Sequence, residues 1–167
     1  MDEELLERLK AGMSVEEMSL ERDFRAWGGY VVFARNKPCT AKLLFIENEL
    51  SVQAHGRRDE MWYLVSGKVA VFRGPVLEDA VKTIAELQEK ILLPGDLVRI
   101  PRDTAHSLLN LYEEPSLIVE VAFGEAHEDD IRRFYDMHGR TTLEGLPQGK
   151  SIRELIPLCR KYLEKNI

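Results

Sequence analysis

Between Tyr30 and Phe123 the apolar positions come in short runs, each broken by glycine, proline or charge before a helix could complete its turns. Tyr30–Ala34, Lys42–Ile46, Met61–Val65, Val69–Arg73, Leu97–Ile100, Ser107–Asn110 and Ser116–Phe123 all read as strands. Leu50–His55 alternates Leu50, Val52 and Ala54 against Ser51, Gln53 and His55, so Gln53 and His55 share one face. Ser66-Gly67-Lys68 predicts a hairpin turn, and Pro94-Gly95-Asp96 a second turn after Ile91-Leu92-Leu93. Residues 74–90 read as an extended charged loop with an edge strand around Val81–Leu87. Asp129–Phe134 reads as a short helix or turn, Thr141–Lys150 as a linker, and Ile152–Glu164 as an amphipathic helix. Before the strands, residues 2–11 carry Leu5, Leu6 and Leu9 at helical spacing, and Ser14 with Glu17 forms a capping pattern. The expected architecture is all-β, a barrel or jelly roll over 25–140, preceded by a helical arm (1–24) and followed by a linker and helix (141–167).

Composition narrows the function classes. At 167 residues, 44% hydrophobic and 31% charged, the chain can bury one core. A formal net charge of -6 disfavours a nucleic-acid surface. Cys39 and Cys159 are too few for a disulfide framework or zinc knuckle and fit a reducing compartment. The acidic N-terminus lacks a signal-peptide pattern, and no apolar run approaches the roughly 20 residues that span a membrane. These features predict a cytoplasmic protein without a membrane partner.

Two blocks carry candidate chemistry. Gln53 to Glu60 offers Gln53, His55 and Glu60; Gly95 to Asn110 offers His106. Two imidazoles and two side-chain oxygens converging from rigid strands suit a divalent metal: zinc first, with manganese, iron, nickel or cobalt as alternatives. The competing reading makes both histidines ordinary polar side chains.

The two blocks resemble the cupin motifs. His55, Glu60 and Gly67 match the first, and Gly95, Pro101, His106 and Asn110 the second. More narrowly, the chain resembles the type II mannose-6-phosphate isomerase branch, which also forms the C-terminal part of bifunctional mannose-1-phosphate guanylyltransferases. That likeness rests on Arg25-x-Trp27-Gly28-x-Tyr30, Leu50-Ser51-x-Gln53-x-His55, Arg58-x-Glu60-x-Trp62, Glu128 to Ile131 with Arg133, and Gly139-Arg140. It covers about residues 25–140 and implies a cupin-type double-stranded β-helix. Three positions depart from the pattern. Arg57 stands where many cupins have a second histidine, Glu49 replaces an opening glycine, and His138 replaces a tyrosine. Arginine has no lone pair for a metal, so the resemblance makes Gln53 the replacement ligand. Nothing resembles a nucleotidyltransferase domain, so guanylyltransferase activity is not expected.

The resemblance implies a metal-dependent isomerase interconverting mannose 6-phosphate and fructose 6-phosphate. Such a reaction needs a base, a polarised carbonyl and a cationic grip on phosphate. Arg58 and Arg140 are candidates for holding negative charge, with surface ion pairs as the alternative. Glu120, on an apolar strand, is the candidate base, or a paired core carboxylate. Lys42 and Trp62 are candidate substrate contacts, and Trp27, Tyr30 and Tyr63 could line a sugar pocket or belong to the core. Two other classes stay open: a non-catalytic cupin that binds a sugar or small acid, and a metal-dependent dioxygenase. The resemblance also implies a homodimer that buries an edge strand or exchanges a terminal arm.

Overall fold

The computed structural model describes residues 21–36, 38–125 and 128–165. The helix read over 2–11 and the cap at Ser14 lie outside them. Eleven strands run in chain order: β1 (Arg22–Arg25), β2 (Gly28–Asn36), β3 (Cys39–Ile46), β4 (Val52–His55), β5 (Arg58–Ser66), β6 (Val69–Pro75), β7 (Gln88–Leu92), β8 (Leu97–Ile100), β9 (Thr104–Asn110), β10 (Ser116–Gly124) and β11 (Ile131–Tyr135). Helix α1 (Ala80–Ala85) precedes β7, and α2 (Ile152–Lys165) ends the described chain. The strands form two antiparallel sheets, β1-β2-β3-β10-β5-β8 and β11-β4-β9-β6-β7, the jelly-roll arrangement expected from the spacing of the runs.

Side-chain parity sorts each strand onto two faces. Leu44, Ile46, Trp62, Leu64 and Ile118 from the first sheet meet Val69, Val71, Leu92 and Leu108 from the second in the inter-sheet core. The opposite parity of the second sheet (Val52, Ala54, Ala70, Phe72, Ala105) packs against Ile84 and Ala85 of α1 and Ile152, Leu155, Ile156 and Cys159 of α2. The helices therefore cover the back of the second sheet and leave the inter-sheet space to the site. Gly67 turns β5 into β6 at φ +92°, and a Cβ there would collide with the Ser116 side chain, so the hairpin requires glycine.

Three local expectations are corrected. The segment read as an edge strand around Val81–Leu87 is helix α1: the Asp79 side chain accepts from Lys82 N at 2.8 Å, and Thr83, Ile84 and Ala85 bury one face. The edge strand is β7, whose solvent-facing Glu89 and Lys90 suit an edge. Asp129–Phe134 is mostly strand: a single 3-10 turn (Glu128–Asp130) leads into β11, which pairs with β4 through Ile131↔His55 and Arg133↔Gln53. At the end of the segment read as a helical arm (1–24), Arg22, Asp23 and Phe24 belong to strand β1, which pairs with β2. Both cysteines are free thiols.

Candidate functional site

The site forms where the inward parity of five strands changes from apolar to polar at one end of the inter-sheet core. On β5 the inward residues run Leu64, Trp62, Glu60, Arg58. On β10 Glu120 lies opposite both Lys42 of β3 and Trp62 of β5. Gln53 of β4 is paired with His106 of β9. Register thus joins Lys42 and Glu120 in the first sheet and Gln53 and His106 in the second, and the packing of the two sheets face to face brings them together with His55 and Glu60.

His55, Glu60 and His106 are all buried, and one candidate ligand atom from each lies within 4.8 Å of the others. The imidazoles sit 5.1 Å apart between ring centroids. His106 Nδ1 lies 2.9 Å from the Thr104 carbonyl, which can only accept, so Nδ1 carries the proton and Nε2 presents a lone pair. That lone pair faces Glu60 Oε2 at 3.7 Å, and neither atom has a hydrogen-bond partner. Burial holds the His106 pKa below its usual value although Glu60 opposes the shift, so the imidazole is neutral at physiological pH. Burial, then His106 and Arg58, likewise depress the His55 pKa. Two buried acceptors facing each other without a donor is a costly arrangement that a cation between them relieves. The donor set of two neutral imidazoles and a carboxylate therefore fits a divalent metal.

Arg58 reaches into this centre. Its Nε donates to Glu60 Oε1 at 2.8 Å, and its Nη2 donates to His55 Nε2 at 3.0 Å. Its Nη1 lies 3.6 Å from Asp130 Oδ2. Asp130 itself accepts from the backbone N–H groups of Gly56 and Arg57, which ties the turn before β11 to the β4–β5 turn. Gln53 Nε2 is 3.5 Å from His55 Nε2, while its amide oxygen accepts from Ser51 Oγ at 3.1 Å. The oxygen expected as a ligand is thus turned to Ser51. Arg57, at the family's second histidine position, is exposed and paired with Asp129.

Above the centre opens a cleft lined by Trp27, Tyr30, Lys42, Gln53, Glu60 and Glu120, among others. Its cations are Arg25, Arg35, Lys42, Arg58, Arg133 and Arg140, and its acids are Glu21, Glu60 and Glu120. Six cations and three acids line the cleft, and three further aspartates, Asp23, Asp130 and Asp136, pair with Arg25, Arg58 and Arg140 from outside the lining. Lys42 Nζ sits 3.2 Å from Glu120 Oε1 and 5.1 Å above the Tyr30 ring. Burial works against the Lys42 charge, but Glu120 and Glu60 outweigh it and raise the pKa, so the lysine stays charged. Arg140 lines the cleft and is paired with the fully buried Asp136.

Two expected substrate contacts are displaced. Trp62 is fully buried in the core, edge-on to His106 at 5.4 Å between centroids, and its Nε1 donates to Glu120 Oε2 at 3.2 Å. It supports the site from beneath and has no face open to a ligand. Tyr63, of opposite parity, points away from the core and is half exposed. Trp27 and Tyr30 do line the cleft. Sequence reasoning used Arg25 and Arg133 only as motif residues of the family likeness and gave them no place in the cleft, passed over Arg35, and missed Asp130 as the anchor of Arg58.

Comparison with known proteins agrees with this architecture. A family profile described as mannose-6-phosphate isomerase C-terminal matches residues 14–136. The xanthan biosynthesis protein XanB of Xanthomonas campestris is 31% identical over 141 residues, covering 83% of this chain and 28% of XanB. Mannose-1-phosphate guanylyltransferase ManC of Salmonella typhimurium is 29% identical over 139 residues, covering 81% of this chain and 26% of ManC. The chain thus spans little more than a quarter of the length of these relatives. Among solved structures, the capsular polysaccharide assembling protein CapF of Staphylococcus aureus superposes with a TM-score of 0.59 at 16% identity, over 68% of this chain and 34% of CapF, a likeness of fold. No helix among the described residues is long and apolar enough to cross a membrane. With the matched region spanning all the described strands and both ligand blocks, the chain belongs to the mannose-6-phosphate isomerase C-terminal family.

Proposed function

We propose that this chain is a metal-dependent sugar-phosphate isomerase, with mannose 6-phosphate and fructose 6-phosphate as its substrate pair. The observation that carries the reading is the meeting of a buried His55–Glu60–His106 ligand set with a cleft lined by five arginines and Lys42. His55, Glu60 and His106 would hold the metal, zinc first, and Gln53 would join them after its amide turns over, a rotation that exchanges oxygen for nitrogen. When bound, the metal would supply Lewis-acid polarisation of the sugar oxygens. Glu120 and Lys42, 3.2 Å apart, would supply a proton acceptor and a proton donor at the reacting carbons and their oxygens. Trp62 holds Glu120 from below through its indole N–H. Arg140 and Arg133, both lining the cleft, would grip the phosphate, a dianion suited to guanidinium forks. Trp27 and Tyr30 would offer the sugar an aromatic wall.

A second reading, a sugar-phosphate-binding module without catalysis, is favoured by one observation. Arg58 already donates to two of the three metal-ligand side chains. The two readings separate in a coupled assay. Protein stripped with chelator is given zinc, manganese or cobalt and mannose 6-phosphate, and fructose 6-phosphate is followed by coupling it through phosphoglucose isomerase and glucose-6-phosphate dehydrogenase to the reduction of NADP+. Turnover that appears only with metal, and falls at least 100-fold in Glu60→Gln, supports the isomerase. Absence of turnover with any hexose phosphate at full metal occupancy, with sugar phosphate still raising the melting temperature, supports the binding module instead.

A further inference from the structure

We propose that Arg58 is an internal competitor for the metal centre, and that metal binding releases its guanidinium to serve the anion cleft. The inference rests on the metal reading of the centre and not on isomerase activity. Its basis is geometric. Arg58 Nε and Nη2 donate to Glu60 Oε1 and His55 Nε2 at 2.8 and 3.0 Å. A lone pair that accepts from a guanidinium cannot at the same time bind a divalent cation, and two like charges would then share one buried site. The centre therefore has two exclusive states: guanidinium on His55 and Glu60, or metal there.

The released guanidinium has a place to go. Arg58 already lines the cleft, and its Nη1 lies 3.6 Å from Asp130 Oδ2. Asp130 is held in place by the N–H groups of Gly56 and Arg57, so it persists as an anchor in either state. Leaving His55 and Glu60 thus keeps one carboxylate partner and frees two or more N–H groups for an anion. Because the guanidinium must first be displaced, apparent metal affinity is the intrinsic affinity multiplied by the fraction of molecules in the arginine-out state. By linkage, an anion that captures the released guanidinium tightens metal binding by the same factor that metal tightens anion binding.

The test uses the full chain, cobalt(II) followed by its visible absorption, and sulfate as the anion. Arg58→Met removes every donor at similar length, and Arg58→Lys keeps the charge without the fork. The expected result is cobalt affinity about tenfold or more tighter in Arg58→Met than in wild type, with sulfate tightening cobalt several-fold in wild type but not in Arg58→Met. Equal cobalt affinity in the two proteins, or a sulfate effect that persists without Arg58, overturns the competitor while leaving the metal centre standing. No cobalt binding in either protein overturns both. Should Arg58→Met fail to fold, the wild-type protein still decides: the Arg58 Nε–H resonance, assigned with Arg58→Lys, shifts and loses protection from exchange on adding one equivalent of zinc. A resonance unmoved with zinc bound overturns the proposal.

Discussion

Replacing Glu49 with glutamine is expected to stabilise the protein, and to do so only above the carboxyl's ordinary titration range. Glu49 is 1% exposed, and its Oε2 accepts from Ile152 N, the first N–H of α2, at 2.8 Å. Its Oε1 has no hydrogen-bond partner. Burial raises its pKa to about 7; the bond from Ile152 N opposes the shift, while Asp136 and Glu154 add to it. A helix N-terminus favours an anion by about 1 kcal/mol, so burial wins this contest. Because the folded pKa lies above the unfolded one, the folded state holds the proton more tightly. Folding is therefore unpenalised below the ordinary carboxyl range, and stability falls as pH rises towards about 7. The rise from 4.5 to about 7 corresponds to roughly 3 kcal/mol lost at pH 8. Glutamine keeps an oxygen for Ile152 N and carries no charge. Thermal unfolding of Glu49→Gln at pH 8 should show a gain of about 5–10 °C over wild type, shrinking to about 1 °C or less near pH 4.5. A gain that does not change with pH, or a loss at pH 8, refutes the reasoning.

Other outcomes follow from the same geometry. Lys42→Met strands the buried Glu120 carboxylate and should cost about 3 kcal/mol in chemical denaturation, with Lys42→Met/Glu120→Gln recovering most of the stability but none of the turnover. Gly67→Ala meets both a left-handed φ and the Ser116 side chain, and should lower stability by about 2 kcal/mol or more, read as a melting shift. Light scattering should find a dimer, since Tyr63, Val65, Leu97 and Phe123 leave apolar area exposed on the first sheet; a monomer at high micromolar concentration would reject this.

What the sequence carried, and what it did not, follows from the range of each interaction. Period-two alternation put Gln53 and His55 on one face because parity is local, and pairing register then set Gln53 beside His106. The same parity could not give depth: Glu60 and Trp62 both point inward, yet only Glu60 reaches the cleft. Helix α1 was hidden because six residues are too few to display a helical period, and only the Asp79 cap marked it. In β11, Arg132 and Arg133 broke the apolar signal of a strand whose partner, β4, lies about 80 residues earlier. The contact of Arg58 with Glu60 follows from their spacing of two on β5, but the reach of the same guanidinium to His55 and Asp130 needs β4 and the turn before β11 in place, and no spacing along the chain announces that.

The most direct test of the account is the stoichiometry of divalent metal in purified protein dialysed against micromolar zinc and then against buffer. Elemental analysis should find one zinc per chain in wild type and less than a tenth of that in His55→Ala/His106→Ala, with circular dichroism unchanged. A metal-free wild type, or zinc retained by the double variant, would contradict a centre built on His55, Glu60 and His106.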